Sequence, residues 1–332
     1  TAMPKVIVKA KHKAMPITWP KAMQKLTPKV LPNVKVLPEL MPKVMPRARR
    51  RRQMVPHNVF FTHRVDFLSH GHAGDEWELF RVNCKNTIDV YARLWREPVV
   101  YRHEVQPAAE EASGADTASR ETVIRFLTDA DCRGLIELAE KRLLRHFDDE
   151  QSGKYKADIC RVAALYIEGG YYFDADIRAL SPVNLETEAM ADVSFSSVVD
   201  PDGTGFFQAF VASAPRHPIL AATMQKMVSS YERGGADLGG RWMGPATMWD
   251  ALRSLPASSQ GGTLLLREAQ LFEYQFRYPF AQSDLRGQEG EGCCCNYVVF
   301  DPLARPKQTV HFYSRIVGAG EFCQTPKPDV GT

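Results

Sequence analysis

Lys156-Ala-Asp158-Ile-Cys-Arg161-Val-Ala-Ala-Leu-Tyr-Ile-Glu168-Gly169-Gly170-Tyr171-Tyr172-Phe173-Asp174-Ala-Asp176 reads as a helix, a two-glycine stop and a strand that delivers two carboxylates. Apolar residues at Ile159, Val162, Ala163 and Tyr166 recur three and four apart, with Asp158 and Arg161 together beside that stripe. Gly169 and Gly170 tolerate the left-handed backbone that ends a helix. Beyond them the period becomes two. The spacing therefore predicts Tyr172, Asp174 and Asp176 on one strand face and Tyr171, Phe173, Ala175 and Ile177 on the other.

Two like charges at adjacent same-face positions repel, so a strand that keeps them holds a cation there or opens to water. Carboxylate oxygens suit a hard divalent cation, Mn²⁺ or Mg²⁺, which keeps open positions for phosphate oxygens. The Asp-x-Asp pattern alone decides nothing, because the chain carries it three times: Asp129/Asp131, Asp174/Asp176 and Asp200/Asp202. The middle one stands apart through its upstream Asp-x-x-Arg helix, its glycine break and its aromatic strand.

Outward from this block, Val55–Thr62 reads as a buried strand, Trp77–Trp95 as a helical region and Val99–Glu104 as a second strand. Residues 105–120, rich in Ala, Glu and Ser, read as an insertion. Val123–Asp129 is a third strand, and Cys132–Arg145 an amphipathic helix after it. Strands alternating with helices imply an α/β fold, with a mostly parallel sheet flanked by helices. Ligands of such sheets gather at the carboxyl ends of the strands, where Thr62, Asp129 and the Asp174/Asp176 pair emerge. The later chain reads as helices near 218–231 and 245–254 and strands near 263–266, 297–300 and 308–313, completing the same domain.

The central block resembles the Asp-x-Asp sugar-binding region of a glycosyltransferase family that includes the yeast Och1-type α-mannosyltransferases, the mannosyl inositol-phosphorylceramide synthases and the clostridial glucosylating toxins. Their pattern runs Lys-Ala/Ser-Asp-x-x-Arg, then Gly-Gly-x-Tyr-x-Asp-x-Asp. Lys156, Asp158, Arg161, Gly169, Gly170, Tyr172, Asp174 and Asp176 match each named position. Looser similarities follow in order: Val55–His63 to the first strand, Phe206–Pro218 with Gln208 to the segment ending Pro-x-His-Pro, Gly244-Pro245 to Thr-Gly-Pro, and Tyr278-Pro279-Phe280 and His311 to C-terminal landmarks. Phe60 and His63 stand where the family has His and Trp, and the closing Ser-Trp pair is absent.

The resemblance implies a GT-A type nucleotide-diphospho-sugar transferase domain over residues 54–325. It implies a hexose, for instance mannose, moved with retention from a GDP- or UDP-sugar to a glycan or glycolipid. Asp176 and Asp174 are expected to hold Mn²⁺ or Mg²⁺, with His311 as a third ligand. Asp158 and Arg161 are expected to meet the donor sugar and phosphate, together with Gly170, Tyr172, Gln208, Thr62 and His63. Two other readings stay open: a haloacid-dehalogenase-type phosphatase, whose strand also ends in Asp-x-Asp, and a non-catalytic sugar-binding domain of the same fold.

The net charge of +3 conceals an asymmetry. Residues 1–53 hold 14 Lys and Arg against Glu39 alone, while the remainder has 28 basic and 38 acidic residues. Eight prolines between Pro4 and Pro46 exclude helix and central strand there, so this reads as a disordered basic tail. Arg49-Arg50-Arg51-Arg52 is a short charge run of the kind that solvates a linker, and no nucleic-acid function is expected. No run of eighteen apolar residues exists. The chain starts on Thr1, and relatives carry a membrane anchor ahead of this domain, so a membrane tie and a Golgi or other secretory location are expected only through such a segment. Of seven cysteines, Cys84, Cys132 and Cys160 read as small buried thiols. Cys293-Cys294-Cys295 sits in a loop where a metal site would lack spaced partners, open to lipidation or pairing with Cys323.

Overall fold

The structure, a computed structural model, describes residues 54–63, 66, 68, 75–102, 121–235, 243–260, 262–270, 297–304 and 309–314. The basic tail, the 105–120 insertion, Tyr278-Pro279-Phe280, Cys293-Cys294-Cys295 and Cys323 lie outside the described residues.

The chain runs β1 (Asn58–Thr62), α1 (Asp75–Trp95), β2 (Val99–Tyr101), β3 (Thr122–Leu127), α2 (Asp129–Glu140), α3 (Arg142–Asp149), α4 (Gly153–Glu168) and β4 (Gly170–Phe173). It continues through β5 (Arg178–Ala179), β6 (Phe195–Val199), β7 (Phe206–Ser213), α5 (Pro218–Arg233), α6 (Met243–Ser254), α7 (Ala257–Gln260), β8 (Thr263–Gln270), β9 (Tyr297–Phe300) and β10 (Val310–Ser314). The strands form one sheet in the order β2-β3-β1-β4-β7-β6-β8-β9-β10-β5. The α/β class is the one the sequence implies. The pairings β2–β3, β3–β1, β1–β4 and β6–β8 are parallel. The other neighbours pair antiparallel.

Helices cover both faces of the parallel block, which is why β3, β4 and β6 are buried along their whole length. Phe60, Tyr172 and Val211 point into a core shared with α2, α4, α5 and α6, whereas Val59, Phe61, Tyr171 and Phe173 join α1 on the other side. Period-two alternation thus holds through β1 and β4.

Four local features differ from the expectation. The helix expected over Cys132–Arg145 is two helices broken at Lys141, and the change of direction lets Leu143 and Phe147 enter the core. β2 stops at Tyr101. β6 and β7 were not foreseen, although β7 lies mid-sheet between β4 and β6. β4 ends at Phe173, so Asp174 and Asp176 leave the strand: the Asp174 N–H still donates to Ala209 O at 2.8 Å, and the chain then turns at Ala175-Asp176.

The junction between α4 and β4 is built tightly. Gly170 has φ 127°, and a Cβ there would lie 2.5 Å from Asn58 O. Asn58 Nδ2 donates to the carbonyls of Glu168 and Gly169 at 3.3 and 3.1 Å. The Glu168 carboxylate pairs with Arg125 of β3, and both side chains are buried. These contacts fix the end of α4 against β1 and β3, and hence where β4 releases its carboxylates. Among the described residues no helix is long and apolar enough to cross a membrane.

Candidate functional site

Arg161 is the hub. One turn after Asp158 on α4, it is 5% exposed and its guanidinium is shared among four oxygens. Nη1 donates to Gln208 O at 2.6 Å and Nε to Ala157 O at 3.2 Å. Nη2 lies 3.3 Å from Asp158 Oδ1 and 3.4 Å from Asp174 Oδ1. The Tyr172 ring lies beneath, 4.5 Å from Cζ. Burial opposes the charge on Arg161, but Asp174, Tyr172, Asp158 and Asp176 outweigh it and hold the guanidinium above its usual range.

A hydrogen-bond relay continues to β1. The Tyr172 hydroxyl donates to Asp174 Oδ1 at 2.7 Å, and Thr62 Oγ1 lies 2.8 Å from the same hydroxyl. Because the Tyr172 proton faces a carboxylate, Thr62 is the donor in the second bond. On the opposite side Gly244 bridges two acidic and amide groups: its N–H donates to Asp158, and its carbonyl accepts from Gln208 Nε2 at 3.0 Å. A Cβ on Gly244 would fall within the Asp158 carboxylate, so this closeness requires glycine.

Two buried oxygens in this cluster have no partner: Asp176 Oδ1 and Gln208 Oε1. The orientation of the Gln208 amide is set chemically, since a carbonyl cannot face the Gly244 carbonyl and its NH₂ must. Burial, and then repulsion from Asp174, push the Asp176 carboxyl up to about 7. Burial likewise lifts Asp158 to about 6, against the pull of Arg161. Acidic groups so placed call for a cationic or hydrogen-donating ligand.

Two clefts meet over the cluster and share Lys154, Arg161 and Asp174. The larger, about 740 Å³, runs from Thr62, His63 and Phe80 past Asp174 and Asp176 to Phe147 and Lys156. The smaller, about 430 Å³, has Asp158, Gln208, Phe206 and Pro245 in its lining and the Asp200–Gly205 turn at its edge. Both are of ligand-binding size.

The structure thus brings together Asp158, Arg161, Tyr172, Asp174, Asp176, Thr62 and Gln208, and it puts His63 on the larger cleft beside Phe80, with ring centroids 6.0 Å apart. Gly170 lines neither cleft. Nor does His311, which is 8% exposed on β10 with Nδ1 3.3 Å from Ser181 O; burial lowers its pKa. No three His, Cys, Asp or Glu side chains among the described residues converge as a metal-binding group. A cation would therefore have Asp174 and Asp176 from the protein and its remaining positions for a ligand, which the orphaned Asp176 oxygen fits.

Sequence reading missed two contributors and left the role of a third, Asp129, unassigned. Lys154 lines both clefts, Asp129 on the larger cleft pairs with Lys156 Nζ at 3.0 Å, and Cys132 and Cys160 form a disulfide with Cα atoms 5.1 Å apart. The two cysteines are not the thiols expected. Asp129 emerges at a strand end, as its position in the sequence predicts, but nothing in the spacing announces the disulfide.

No protein-family model matches the chain, and no curated protein matches it. A solved structure described as the PaToxG glycosyltransferase is similar at 17% identity over 71% of this chain and 75% of that one, with a TM-score of 0.39.

Proposed function

We propose that this protein is a glycosyltransferase that moves a hexose from a nucleotide-diphospho-sugar to a glycan or glycolipid hydroxyl, with a divalent cation. The observation that carries the reading is the carboxylate pair Asp174/Asp176, tied to Arg161 and Asp158 and lying where two clefts join. The larger cleft has room for a nucleotide diphosphate. The smaller presents two hydrogen-bond acceptors, Asp158 and Gln208 Oε1, suited to sugar hydroxyls. One cleft for a nucleotide and an adjoining one for a polyol is the arrangement a sugar-nucleotide enzyme needs.

Bound at Asp174 and Asp176, Mn²⁺ or Mg²⁺ supplies Lewis-acid stabilisation of a leaving diphosphate. The chain itself does the rest. Arg161 holds Asp174 in place and presents positive charge at the junction, and the Thr62–Tyr172 relay fixes the other side of the same carboxylate. Asp158 and Gln208 orient hydroxyls from below. His311 has no part in this assignment.

The test is a panel of UDP- and GDP-hexoses incubated with the protein and Mn²⁺ without acceptor, scored for slow donor hydrolysis. Turnover of at least one donor, lost on chelation, is expected. Absence of turnover for every donor with both Mn²⁺ and Mg²⁺ would remove the assignment.

A further inference from the structure

The Cys132–Cys160 bond joins the two helices that wall the larger cleft, and both cysteines belong to its lining. Cys132 lies in the first turn of α2, just past the Thr128–Asp131 capping box, and Cys160 immediately precedes Arg161 on α4. The bond spans a sequence separation of 28 and closes a covalent ring. Within that ring lies the wall of the cleft from Phe147 to Ala157, including Lys154 and Lys156.

We propose that this disulfide is a redox latch on the cleft: oxidised, it holds the wall in its ligand-binding shape, and reduction by a dithiol releases it. The ion pairs at this end are weak, and the Tyr231 hydroxyl on Glu150 at 3.1 Å holds only the middle of the loop. Lys156–Asp129 and Arg133–Asp148 are ion pairs with partners up to 58% exposed, which solvent screens. The buried side of α2, at Leu135 and Ile136, packs one turn further on and keeps the helix on the core when the bond is gone. Loss of the bond therefore loosens the first turn of α2 and residues 148–157, with Phe147 still anchored in the core, while the fold persists.

Reduction proceeds by attack of a dithiol's thiolate on one sulfur, giving a mixed disulfide, which the second thiol resolves. Two electrons pass from the dithiol to the protein, Cys132 and Cys160 each end protonated, and the reductant leaves as a cyclic disulfide. Cys132 and Cys160 are 3% and 0% exposed but both line the larger cleft, so a reductant reaches them from there as the cleft wall fluctuates. A ligand there shields the bond. Since coupling is reciprocal, whatever factor the bond adds to ligand affinity, the ligand adds to resistance against reduction. The site is then assembled in an oxidising compartment and relaxed in a reducing one.

The inference rests on the nucleotide reading of the cleft, so its test has a ligand-free arm. The full-length protein is compared oxidised and after dithiothreitol, with non-reducing peptide mapping to establish the Cys132–Cys160 link. Hydrogen exchange should rise after reduction in residues 129–133 and 148–157 while β1, β3 and β4 stay protected. Affinity for UDP or GDP with Mn²⁺ should fall at least tenfold, and the double variant Cys132→Ser/Cys160→Ser should match the reduced protein and ignore dithiothreitol. Exchange that responds locally while neither nucleotide binds the oxidised protein upholds the latch and sinks the nucleotide reading. Free thiols at both positions after air oxidation, or unchanged exchange after reduction, overturn the latch.

Discussion

Asp176→Asn should make the metal-free protein more stable at pH 8 while abolishing its metal-dependent chemistry. The carboxyl stands at about 7 in the fold against 3.8 in a free chain, chiefly through burial and then through Asp174. Between those values the folded state keeps a proton that the unfolded state has lost. Stability therefore falls as pH rises through this window, and this group's contribution is fully lost above about 7. At about 1.4 kcal/mol for each tenfold in proton affinity, the ceiling is about 4 kcal/mol, and relaxation around the ionised group reduces it to about 1–2 kcal/mol. Asparagine keeps the shape and has nothing to ionise.

The assay is urea unfolding of wild type and variant with chelator at pH 4.5 and pH 8. The variant's advantage should be small at pH 4.5, grow with pH and level off above 7. Saturating Mn²⁺ at pH 8 should stabilise wild type, by about 2.7 kcal/mol at a hundredfold excess over Kd, and the variant much less. A variant less stable than wild type at pH 8 without metal would refute the reasoning, since the carboxylate would then have a compensating partner.

Arg161→Lys should weaken nucleotide-sugar binding about 10- to 100-fold by titration calorimetry, because an ammonium cannot reach Gln208 O, Asp158 and Asp174 together; Val162→Leu, its buried neighbour, serves as the packing control. Gly244→Ala should lower stability by about 1–3 kcal/mol in denaturant unfolding and suppress turnover, since the new methyl displaces the Asp158 carboxylate. Asp131→Asn should cost about 1 kcal/mol or less and leave turnover within a few-fold, as expected of a capping side chain, and Asp202→Asn on its exposed turn should change turnover as little. Glu168→Gln should destabilise by about 3–5 kcal/mol in the same unfolding assay, because Arg125 is left buried without its carboxylate.

What could be read in the sequence was local. Helix α4, its glycine stop and the alternation of β4 follow from spacing within twenty residues, and so does the nearness of Asp158 to Arg161 one turn apart. What could not be read depends on neighbours distant in the chain. β7 is a nearly continuous apolar run because both of its faces are covered, so it lacks the alternation that marks a half-buried strand. The break at Lys141 has no proline and is set by where Leu143 and Phe147 find the core. Arg125, within the apolar run of β3, makes sense only with carboxylates from elsewhere, chiefly Glu168, 43 residues later, with Asp131 3.9 Å away. His311 shares a strand with no part of the cluster, and a matching residue type at a matching place in the order of motifs did not bring it there.

The three Asp-x-Asp triplets show what separates a working pair from a coincidental one. Position does not, for all three border a cleft: Asp129 the larger, Asp200 and Asp202 the smaller, Asp176 the larger and Asp174 both. Hydrogen-bond accounting does. Asp131 accepts from Thr128 N and Oγ1 at 2.9 and 2.6 Å, and Asp129 pairs with Lys156. Asp200 accepts the Thr204 N–H at 3.0 Å and closes its own turn, with Asp202 exposed at the tip. Each of those pairs is explained by the fold alone. Asp176 keeps a buried oxygen with no partner beside a second carboxylate, a state whose cost its own N–H and the more distant Arg161 offset only in part. The remaining cost is relieved from outside the chain, by a proton at low pH or by a cation at neutral pH, and at neutral pH the second carboxylate favours the cation.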